Sequence, residues 1–431
     1  MSEKDTIFAK ATAAGRAGVA IIRISGDNAL KACEAFGRSK PCPARQVILH
    51  KFIHRGEFVD SGLILYFSGP NSFTGEDVVE FQLHGGVSIV NQTIEILSSL
   101  DGFRMARAGE FSQRAFLNEK MDLVEAEGLV DLINAETKSQ HEQAARLMQG
   151  HASDFFSTLR QRLIESMALL EAYIDFPDEE IPAEISQQIQ NDIEILRDDI
   201  SYQLTSGKSA ERLRNGFIIV LLGEPNSGKS TLLNALVRRD AAIVSNQAGT
   251  TRDLIEVNCE IKGLPVTIID TAGLRDSDDD IEQQGVKLAL AKAEQADITI
   301  QLVDSKSPSY SRRQEADIIV ATKSDNTPCP DFEYNYVISA QTKDGLAGLL
   351  DGLASRLEAH VPKEDCFALH QRHRHLLESA HDVLELFNQE SAPEIQAEYL
   401  RAAANALSDI VGSHTVDDLL DIVFSSFCIG K

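Results

Sequence analysis

Short apolar runs and longer helical stripes follow one another along the chain in an order that divides it into regions. In the N-terminal region, the apolar runs at 19–24, 63–67 and 78–83 are typical of strands. The apolar spacing at 90–100 is that of a helix. This mixture predicts a compact α+β domain over 1–118.

A helical pattern replaces the mixed one from about residue 112 onward. After Pro182, apolar residues recur at intervals of three or four, which makes one continuous stripe along a long helix. An acidic, proline-marked break at 175–182 separates this stripe from an earlier helical one. Because helical spacing returns near the C-terminus, we predict an α-helical domain in two parts, 119–210 and 362–431.

The region between the two helical parts alternates apolar strands with helices. This alternation predicts a doubly wound α/β domain over 211–361. Since helical segments flank it on both sides, we predict that this domain is inserted into the helical one. The predicted strands lie at 217–222, 254–261, 265–269, 298–303, 317–321 and 335–338.

Composition narrows the functional class without choosing one. No apolar run approaches the roughly twenty residues that span a bilayer, so no membrane partner is expected. The six cysteines are scattered without a C-x-x-C pair, which favours a reducing, cytoplasmic location. The net charge of −25 argues against broad non-specific nucleic-acid binding, because such binding needs a basic surface.

The stretch 223–230 reads GEPNSGKS and fits the phosphate-binding pattern G-x-x-x-x-G-K-[ST]. An apolar strand precedes it and a helical stripe follows, so backbone N–H groups and a helix dipole would surround a polyphosphate. Lys229 is expected to reach the β- and γ-phosphates, and the Ser230 hydroxyl to bind Mg²⁺. The alternative, a chance match in a glycine-rich turn, does not explain this strand–loop–helix context.

Further motifs follow the apolar strands in order, and together they favour GTP over ATP. Asp270 ends a strand, where it can contact Mg²⁺ through water, and the Gly273 amide can sense the γ-phosphate. A threonine of the pair at 250–251 can coordinate Mg²⁺ when the γ-phosphate is present. The Asp325 carboxylate can accept from guanine N–H groups that adenine lacks, and residues 339–340 would support the base.

Two positions depart from the usual pattern of such GTPases. Thr322 stands where most of them carry Asn, so we expect one orienting hydrogen bond to be changed. Leu274 has no polar group to orient the attacking water, which must be held farther along the switch or by a group supplied in trans. The acidic run at 276–282 offers carboxylates, although a solvated loop is the simpler interpretation for most of them.

A further set of motifs extends along nearly the whole chain. The chain ends in FCIGK at 427–431, and the G domain carries GTTRD at 249–253 and DTAGLR at 270–275. The N-terminal motifs are DTI at 5–7, RISG at 23–26, TGED at 74–77, HGG at 84–86, GEF at 109–111 and RAFLN at 114–118. These motifs together are far more specific than the GTPase motifs alone, and they resemble those of the MnmE (TrmE) family of tRNA modification GTPases.

The resemblance implies a homodimer formed through an N-terminal domain that is similar to folate-binding aminomethyltransferase domains. That domain would bind 5-formyl- or 5,10-methylene-tetrahydrofolate. The family works with the FAD protein MnmG (GidA), in a heterotetramer or larger assembly, to add a (carboxymethyl)aminomethyl group to carbon 5 of a tRNA wobble uridine. Given the acidic charge, we expect tRNA to be contacted largely through the partner.

The resemblance also implies roles for individual residues. The folate contacts are Arg23, Glu80, Lys120 and Lys431. The K⁺ ligands are Asn226, Ser245, Gln247 and Thr250, and the Mg²⁺ ligands are Ser230 and Thr251. Catalysis involves Lys229, the water-orienting Glu282 and Cys428, which is either a nucleophilic thiol or a structural residue of a constrained tail.

The motifs and the resemblance together predict a potassium-dependent GTPase of tRNA modification. The alternatives are a regulatory GTPase whose partner is the ribosome and a nucleotide-sensing module that scarcely hydrolyses GTP. The expected GTP contacts are Gly223, Asn226, Ser227, Gly228, Lys229, Ser230, Thr231, Ser245, Asn246, Gln247, Ala248, Gly249, Thr250, Thr251, Asp270, Thr271, Ala272, Gly273, Thr322, Lys323, Ser324, Asp325, Ser339 and Ala340.

Overall fold

The chain forms two compact units in a computed structural model. Unit 1 comprises Met1–Val130, Ser153–Arg160 and Leu407–Lys431, and unit 2 comprises Asp131–Ala152 and Gln161–Ala406. The domain boundaries inferred from the sequence stay predictions. The described residues are 5–175, 183–224, 226–239, 255–270, 296–306, 316–326, 332–361, 366–367, 369–388, 391–412, Leu420, Phe424, Phe427 and Gly430.

Unit 1 is built on a six-stranded sheet with the strand order β3-β4-β5-β2-β1-β6. Neighbouring strands are antiparallel except for the parallel pair β1 and β6. The strands predicted at 19–24, 63–67 and 78–83 are confirmed as parts of β2, β4 and β5, and the other three were missed. The strands are β1 Thr6–Lys10, β2 Ala17–Ser25, β3 Ile48–His54, β4 Glu57–Phe67, β5 Val78–Gly85 and β6 Phe103–Met105.

Alternation along the strands decides which face of this sheet is buried. In β5, Val79, Phe81 and Leu83 are buried while the residues between them are more accessible. Helices α1 (Ala29–Ala35) and α2 (Val87–Ser98) contribute to the same apolar core. Within it, the Phe52 and Phe81 rings meet edge to face at 5.0 Å, a geometry worth about 1 kcal/mol beyond area burial.

The C-terminal residues return to the N-terminal part of the chain within unit 1. Helices α3 (Glu110–Leu117) and α4 (Leu123–Asn134) continue the fold, and Leu420, Phe424 and Phe427 pack against the first turns of α4. Gly109 has φ +68°, and a Cβ there would lie 2.4 Å from the Phe424 carbonyl oxygen. Glycine is therefore required where this tail crosses the start of α3.

Long helices make up much of the remaining described chain. The stripe predicted after Pro182 lies on α7, where Ile189, Ile193, Leu196 and Ile200 are buried, so it is core. None of the described helices is long and apolar enough to cross a membrane. These helices are α5 Lys138–Met148, α6 His151–Asp175, α7 Ala183–Asn215, α8 Lys229–Arg239, α9 Leu346–Glu358, α10 Gln371–Glu385 and α11 Pro393–Val411.

Unit 2 contains a second six-stranded sheet, with the order β12-β11-β10-β7-β9-β8. In this sheet β8 pairs antiparallel with β9, and the other neighbouring strands are parallel. The strands predicted for this region are confirmed, with ends that differ by at most about two residues. The chain passes from β7 to β9 on one side and then to β10 on the other, so β7 is the topological switch point. The strands are β7 Phe217–Gly223, β8 Ile255–Ile261, β9 Leu264–Asp270, β10 Ile298–Asp304, β11 Ile318–Thr322 and β12 Tyr336–Val337.

Candidate functional site

The phosphate loop begins where the buried strand β7 ends and closes at the first residue of α8. Gly223 has φ +148°, and a Cβ there would lie 2.6 Å from the Leu302 carbonyl oxygen. Gly228 has φ +98°, and Asn226, which is exposed, has φ +65°. These three left-handed positions bend the loop sharply, which is why glycine and asparagine occupy them.

The Lys229 ammonium lies inside this loop. Its Nζ donates to the carbonyl oxygens of Gly223 at 2.7 Å and Glu224 at 3.0 Å. Burial lowers the pKa of Lys229, and the Asp270 carboxylate acts in the opposite direction. A bound phosphate would present oxygens to the same ammonium, so these internal contacts hold the charge where an anion is to be received.

A hydroxyl and a carboxylate meet beside the loop. Ser230 Oγ donates to Asp270 Oδ2 at 2.8 Å, and Asp270 is only 2% exposed. Strand register brings them together, because Leu221 of β7 pairs with Asp270 at the end of β9. Oxygen ligands of this kind suit Mg²⁺, which binds one or two protein oxygens together with phosphates and water. Ser230 and Asp270 would therefore hold such an ion.

The segment expected to read guanine follows β11 at the same edge of the sheet. Asp325 Oδ1 accepts a hydrogen bond from Ser339 Oγ at 2.7 Å, and the Ser339 hydroxyl accepts from the Thr342 backbone N–H at 3.1 Å. Ser339 is fully buried after β12. The structure thus gives Ser339, predicted as support for the base, a direct role in orienting the Asp325 carboxylate.

Lys323 is held beside Asp325 by a residue that sequence reasoning missed. Its Nζ contacts Asp304 Oδ2 at 2.7 Å, and its backbone has φ +59°. Burial alone would raise the pKa of Asp304, but the hydrogen bond from Lys323 holds that pKa below its usual range. Asp304 is the last residue of β10, as Asp270 is the last residue of β9. An Asp at the end of an apolar strand was therefore the sequence signal that could have identified Asp304 as a site residue.

Thr322 makes a contact that the usual Asn pattern did not predict. Its Oγ1 donates to the backbone carbonyl of Ser227, in the phosphate loop, at 2.7 Å. This bond joins the base-reading segment to the phosphate loop, and the expected change in a hydrogen bond that orients the base stays a prediction. Ser324 lies in the segment after β11 and Ala340 in the segment after β12, and Thr231 lies in the first turn of α8.

Several predicted site residues lie outside the described residues. They include both switch segments, the water-orienting candidate and the C-terminal candidates. These residues are Ser245, Asn246, Gln247, Ala248, Gly249, Thr250, Thr251, Thr271, Ala272, Gly273, Glu282, Cys428 and Lys431.

In unit 1, the structure brings together two of the residues predicted to contact folate. Arg23 and Glu80 are cross-strand partners in β2 and β5, and Arg23 Nε donates to Glu80 Oε1 at 2.9 Å. The Arg23 guanidinium also lies 5.2 Å from the centre of the Phe73 ring. Lys120 is exposed, and its Cε lies 3.1 Å from where a Cβ on Gly75 would be.

A larger charged network in unit 1 was not predicted. Arg114 donates to both Glu76 oxygens at 2.9 and 3.0 Å, and Arg104 forms a two-pronged contact with Glu110. Burial would raise the pKa of Glu110, but the hydrogen bonds from Arg104 and the Arg107 backbone lower it to about 2. Glu110 and Arg114, which belong to the motifs GEF and RAFLN, lie four residues apart on one helix. This spacing places opposite charges on one helix face and was the sequence signal that could have predicted part of the network.

The loop, the strand-end carboxylates and the switch-point strand order define a nucleotide-binding domain of the phosphate-loop class. The family model of the GTP-binding protein TrmE N-terminus matches residues 6–120, and that of the MnmE helical domain matches residues 123–428. The chain belongs to the MnmE family of tRNA modification GTPases.

Full-length relatives agree with this assignment. The tRNA modification GTPase MnmE of Brucella canis is 41% identical, over 100% of this chain and 99% of the relative. That of Granulibacter bethesdensis is 44% identical, over 99% of this chain and 100% of the relative. Among solved structures, an Aquifex aeolicus Era variant bound to GDP.AlF4- is 22% identical over 41% of this chain and 69% of that chain. Its TM-score of 0.26 is too low to support an inference.

Proposed function

We propose that this chain is a potassium-dependent GTP hydrolase that acts in tRNA wobble-uridine modification. The observation that carries the nucleotide part is the Asp325 carboxylate, held by Ser339 at the same sheet edge as the phosphate loop. A carboxylate accepts from the ring N–H and the exocyclic amine of guanine, whereas adenine offers no such pair. Membership of the MnmE family supports the tRNA part.

The described residues divide the work of hydrolysis among themselves. Backbone N–H groups of the phosphate loop and the Lys229 ammonium bind the phosphates and offset the charge that develops in the transition state. Ser230 and Asp270 are the residues that would hold Mg²⁺, which would supply positive charge to offset that of the phosphates. We propose that Glu282 orients the attacking water, as the family resemblance implies.

Potassium dependence is the part of the proposal that rests on Asn226. Asn226 is an exposed residue of the phosphate loop with a left-handed backbone, and its amide carries an oxygen of the kind that binds K⁺. We propose that this oxygen binds K⁺, together with Ser245, Gln247 and Thr250. The ion would supply the positive charge that an arginine finger supplies in other GTPases.

The proposed folate site lies in unit 1 around Arg23, Glu80 and Lys120. Arg23 and Glu80 neutralise each other, so a folate would exchange this ion pair for contacts with its carboxylate tail and its pterin ring. The terminal residue Lys431 is proposed to contact the same ligand. Both side chains are mostly buried, so the contacts made by the ligand have to offset the cost of opening this pair.

Homodimer formation through unit 1 is supported by its exposed edge hairpin. Leu49 of β3 is 75% exposed and Phe58 of β4 is 64% exposed, while Ile53, which pairs with Phe58, is also accessible. Apolar side chains of this size at a sheet edge favour pairing with another surface. We propose a second copy of the chain as that partner, and MnmG as a further partner that contacts tRNA.

Two measurements test the proposal. Purified protein should hydrolyse GTP much faster than ATP, and faster in K⁺ than in Na⁺. Titration with 5-formyltetrahydrofolate should give saturable binding that Arg23→Ala weakens, while Arg401→Ala, which removes an exposed arginine of a surface ion pair, keeps it. GTP turnover without folate binding would favour the regulatory, ribosome-associated alternative. Absence of GTP turnover would contradict the hydrolase proposal itself.

A further inference from the structure

Two cysteines of unit 1, Cys33 and Cys42, lie side by side although nine positions separate them in the sequence. Cys33 belongs to α1 and is 2% exposed, whereas Cys42 lies in the loop before β3 and is half-buried. Both pack in the apolar core of unit 1, and their thiols are in hydrogen-bonding contact. No step of the proposed function uses this pair.

Arg38 holds the two cysteines together from the turn that follows α1. Its backbone N–H donates to the Cys33 carbonyl oxygen at 3.0 Å, which turns the chain back at the end of the helix. Its guanidinium donates through Nη2 to the Pro41 carbonyl oxygen at 2.9 Å and through Nε to Cys42 Sγ at 3.1 Å. One residue thus fixes Cys42 beside the end of the helix that carries Cys33.

The surroundings of the two sulfurs give them different reactivity. Burial and the neighbouring Cys42 raise the pKa of the Cys33 thiol strongly, so Cys33 keeps its proton. At Cys42 the Arg38 guanidinium donates to sulfur, and a cation in such contact stabilises a thiolate, which is the reactive form of cysteine. Cys42 is also the more exposed of the two. Cys42 is therefore the sulfur that reacts first, with Cys33 placed to react with the product.

A third described cysteine, Cys366, has surroundings of a different kind. It is 4% exposed, and burial raises the pKa of its thiol to about 11, while contacts with Ser206 and the Phe367 backbone act in the opposite direction. Its sulfur meets a hydroxyl and a carbonyl rather than a cation, so we expect Cys366 to stay reduced.

We propose that Cys33 and Cys42 form a reversible disulfide when the chain meets a hydroperoxide. The Cys42 thiolate attacks a peroxide oxygen, so that an S–O bond forms while the O–O bond breaks and hydroxide leaves. The Cys33 sulfur then attacks the Cys42 sulfur to form the S–S bond, and the Cys33 proton leaves with the hydroxyl group as water. Two electrons pass from the thiols to hydrogen peroxide, which is reduced to two molecules of water once the leaving hydroxide takes up a proton.

This disulfide differs in kind from a structural one. Dithiols reverse it by thiol–disulfide exchange, and in a reducing compartment a bond of this type is transient. The inference does not rest on the proposed function, because neither cysteine is a predicted contact of the nucleotide or the folate.

The test treats the reduced, full-length chain with hydrogen peroxide, alkylates the remaining thiols in denaturant and digests the chain with trypsin without reductant. Cleavage after Arg38 places Cys33 and Cys42 on separate peptides. Mass spectrometry should recover these two peptides joined by a disulfide, and dithiothreitol should separate them. Non-reducing electrophoresis should show that the bond lies within one chain, and Cys366 should be recovered alkylated.

Variants of the two cysteines test the order of reaction. Cys33→Ser should stop the reaction at the sulfenic acid of Cys42, which dimedone traps, and Cys42→Ser should leave Cys33 reduced. If Cys33→Ser loses its cooperative thermal unfolding transition, Cys33→Ala is measured in its place with the same expectation.

Arg38→Gln tests whether the guanidinium activates Cys42. It should slow loss of the Cys42 thiol about threefold to tenfold, because one charge-assisted hydrogen bond to the thiolate is lost while the remaining thiolate is more nucleophilic. Arg45→Gln is the matched control, since Arg45 of the same loop donates to the Asn71 carbonyl instead of to sulfur. This control should not alter the rate.

Three results would overturn the inference. They are recovery of Cys33 and Cys42 as separate alkylated peptides after peroxide treatment, a bond from Cys42 to a different cysteine, and a rate of Cys42 oxidation that Arg38→Gln leaves unchanged.

Discussion

Two charged centres, the arginine–glutamate network of unit 1 and the nucleotide site of unit 2, differ in what their charges contact. In the unit 1 network, cations face anions directly, as in Arg104 with Glu110 and Arg114 with Glu76. In the nucleotide site of unit 2, Lys229 instead contacts neutral loop carbonyls. The first arrangement matches its own charges, whereas the second leaves a positive charge to be matched by an incoming anion.

The two centres also differ in the groups that form them, which are mainly backbone groups in the nucleotide site and side chains in unit 1. The nucleotide site depends on loop amides, left-handed residues and the ends of parallel strands, so a short contiguous motif encodes most of it. The unit 1 network depends on side chains far apart in sequence, such as Arg114 and Glu76, which are 38 residues apart. Substitutions in the two centres should therefore affect different measurements.

Removal of the loop ammonium should give the largest effect on activity. Lys229→Ala should lower GTP hydrolysis about a thousandfold, since it removes a full charge at the developing phosphate charge. Steady-state phosphate release measures it. Lys138→Ala is the control, because Lys138 is 81% exposed and makes only a surface pair with Glu142. Equal losses in both variants would contradict a specific role for Lys229.

Glu110→Gln should affect stability and leave nucleotide affinity intact. Glu110 is 4% exposed and contacts Arg104 and Arg114, so loss of its charge should lower the free energy of unfolding by about 3 kcal/mol near pH 7. Urea unfolding measures this value, and GDP titration provides the contrast. If Glu110→Gln weakened GDP binding but left the free energy of unfolding unchanged, the assignment of Glu110 to a structural network would be contradicted.

The same carboxyl gives a pH dependence with a definite sign. Its pKa is lowered from 4.5 to about 2, so its contribution is fully present above about pH 4.5. It is lost as the pH falls toward 2, where the folded state also takes up the proton. The stability difference between the unmodified chain and Glu110→Gln should therefore shrink from about pH 5 downward. A difference that grows on acidification would have the wrong sign.

Asp325→Asn should exchange the preferred base. The amide offers a donor where guanine also has a donor, so GDP affinity should fall about a hundredfold while xanthosine diphosphate gains affinity. Competition titrations with the two nucleotides measure the change. Asp344→Asn is the matched control close by, since that carboxylate accepts from the exposed Thr342 hydroxyl. A shift in both variants would argue against base reading by Asp325.

Asn226→Gly should give a smaller and more selective change. Glycine accepts the left-handed backbone at this position, so the substitution removes the amide oxygen without strain. The rate advantage of K⁺ over Na⁺ in GTP hydrolysis should fall about tenfold or more, toward equality. A variant that keeps the full preference for K⁺ would exclude Asn226 as the ion ligand.

Sequence patterns predicted the sheet of unit 2 better than that of unit 1 for a physical reason. Buried parallel strands such as β7 are short continuous apolar runs that contrast with their flanks. In unit 1, the missed edge strand β3 exposes Leu49 and mixes polar with apolar residues, and β6 has three residues. Runs of that kind carry little signal until their neighbours in the sheet are known.

The nucleotide site was predictable in its parts but not in its connections. The order of motifs indicated Lys229, Ser230 and Asp325, because each stands beside a loop or strand end. The bond from Thr322 to the Ser227 carbonyl joins residues 95 positions apart and was not predicted. Such a contact depends on strand order and register, which no local pattern contains.

The most direct test of the proposed function is nucleoside analysis of tRNA from cells that lack this protein. The wobble uridines that carry the modification should lose it. The unmodified gene should restore it, whereas a gene encoding Lys229→Ala should not. Wobble uridines that remain fully modified in the deleted cells would contradict a role for this GTPase in tRNA modification.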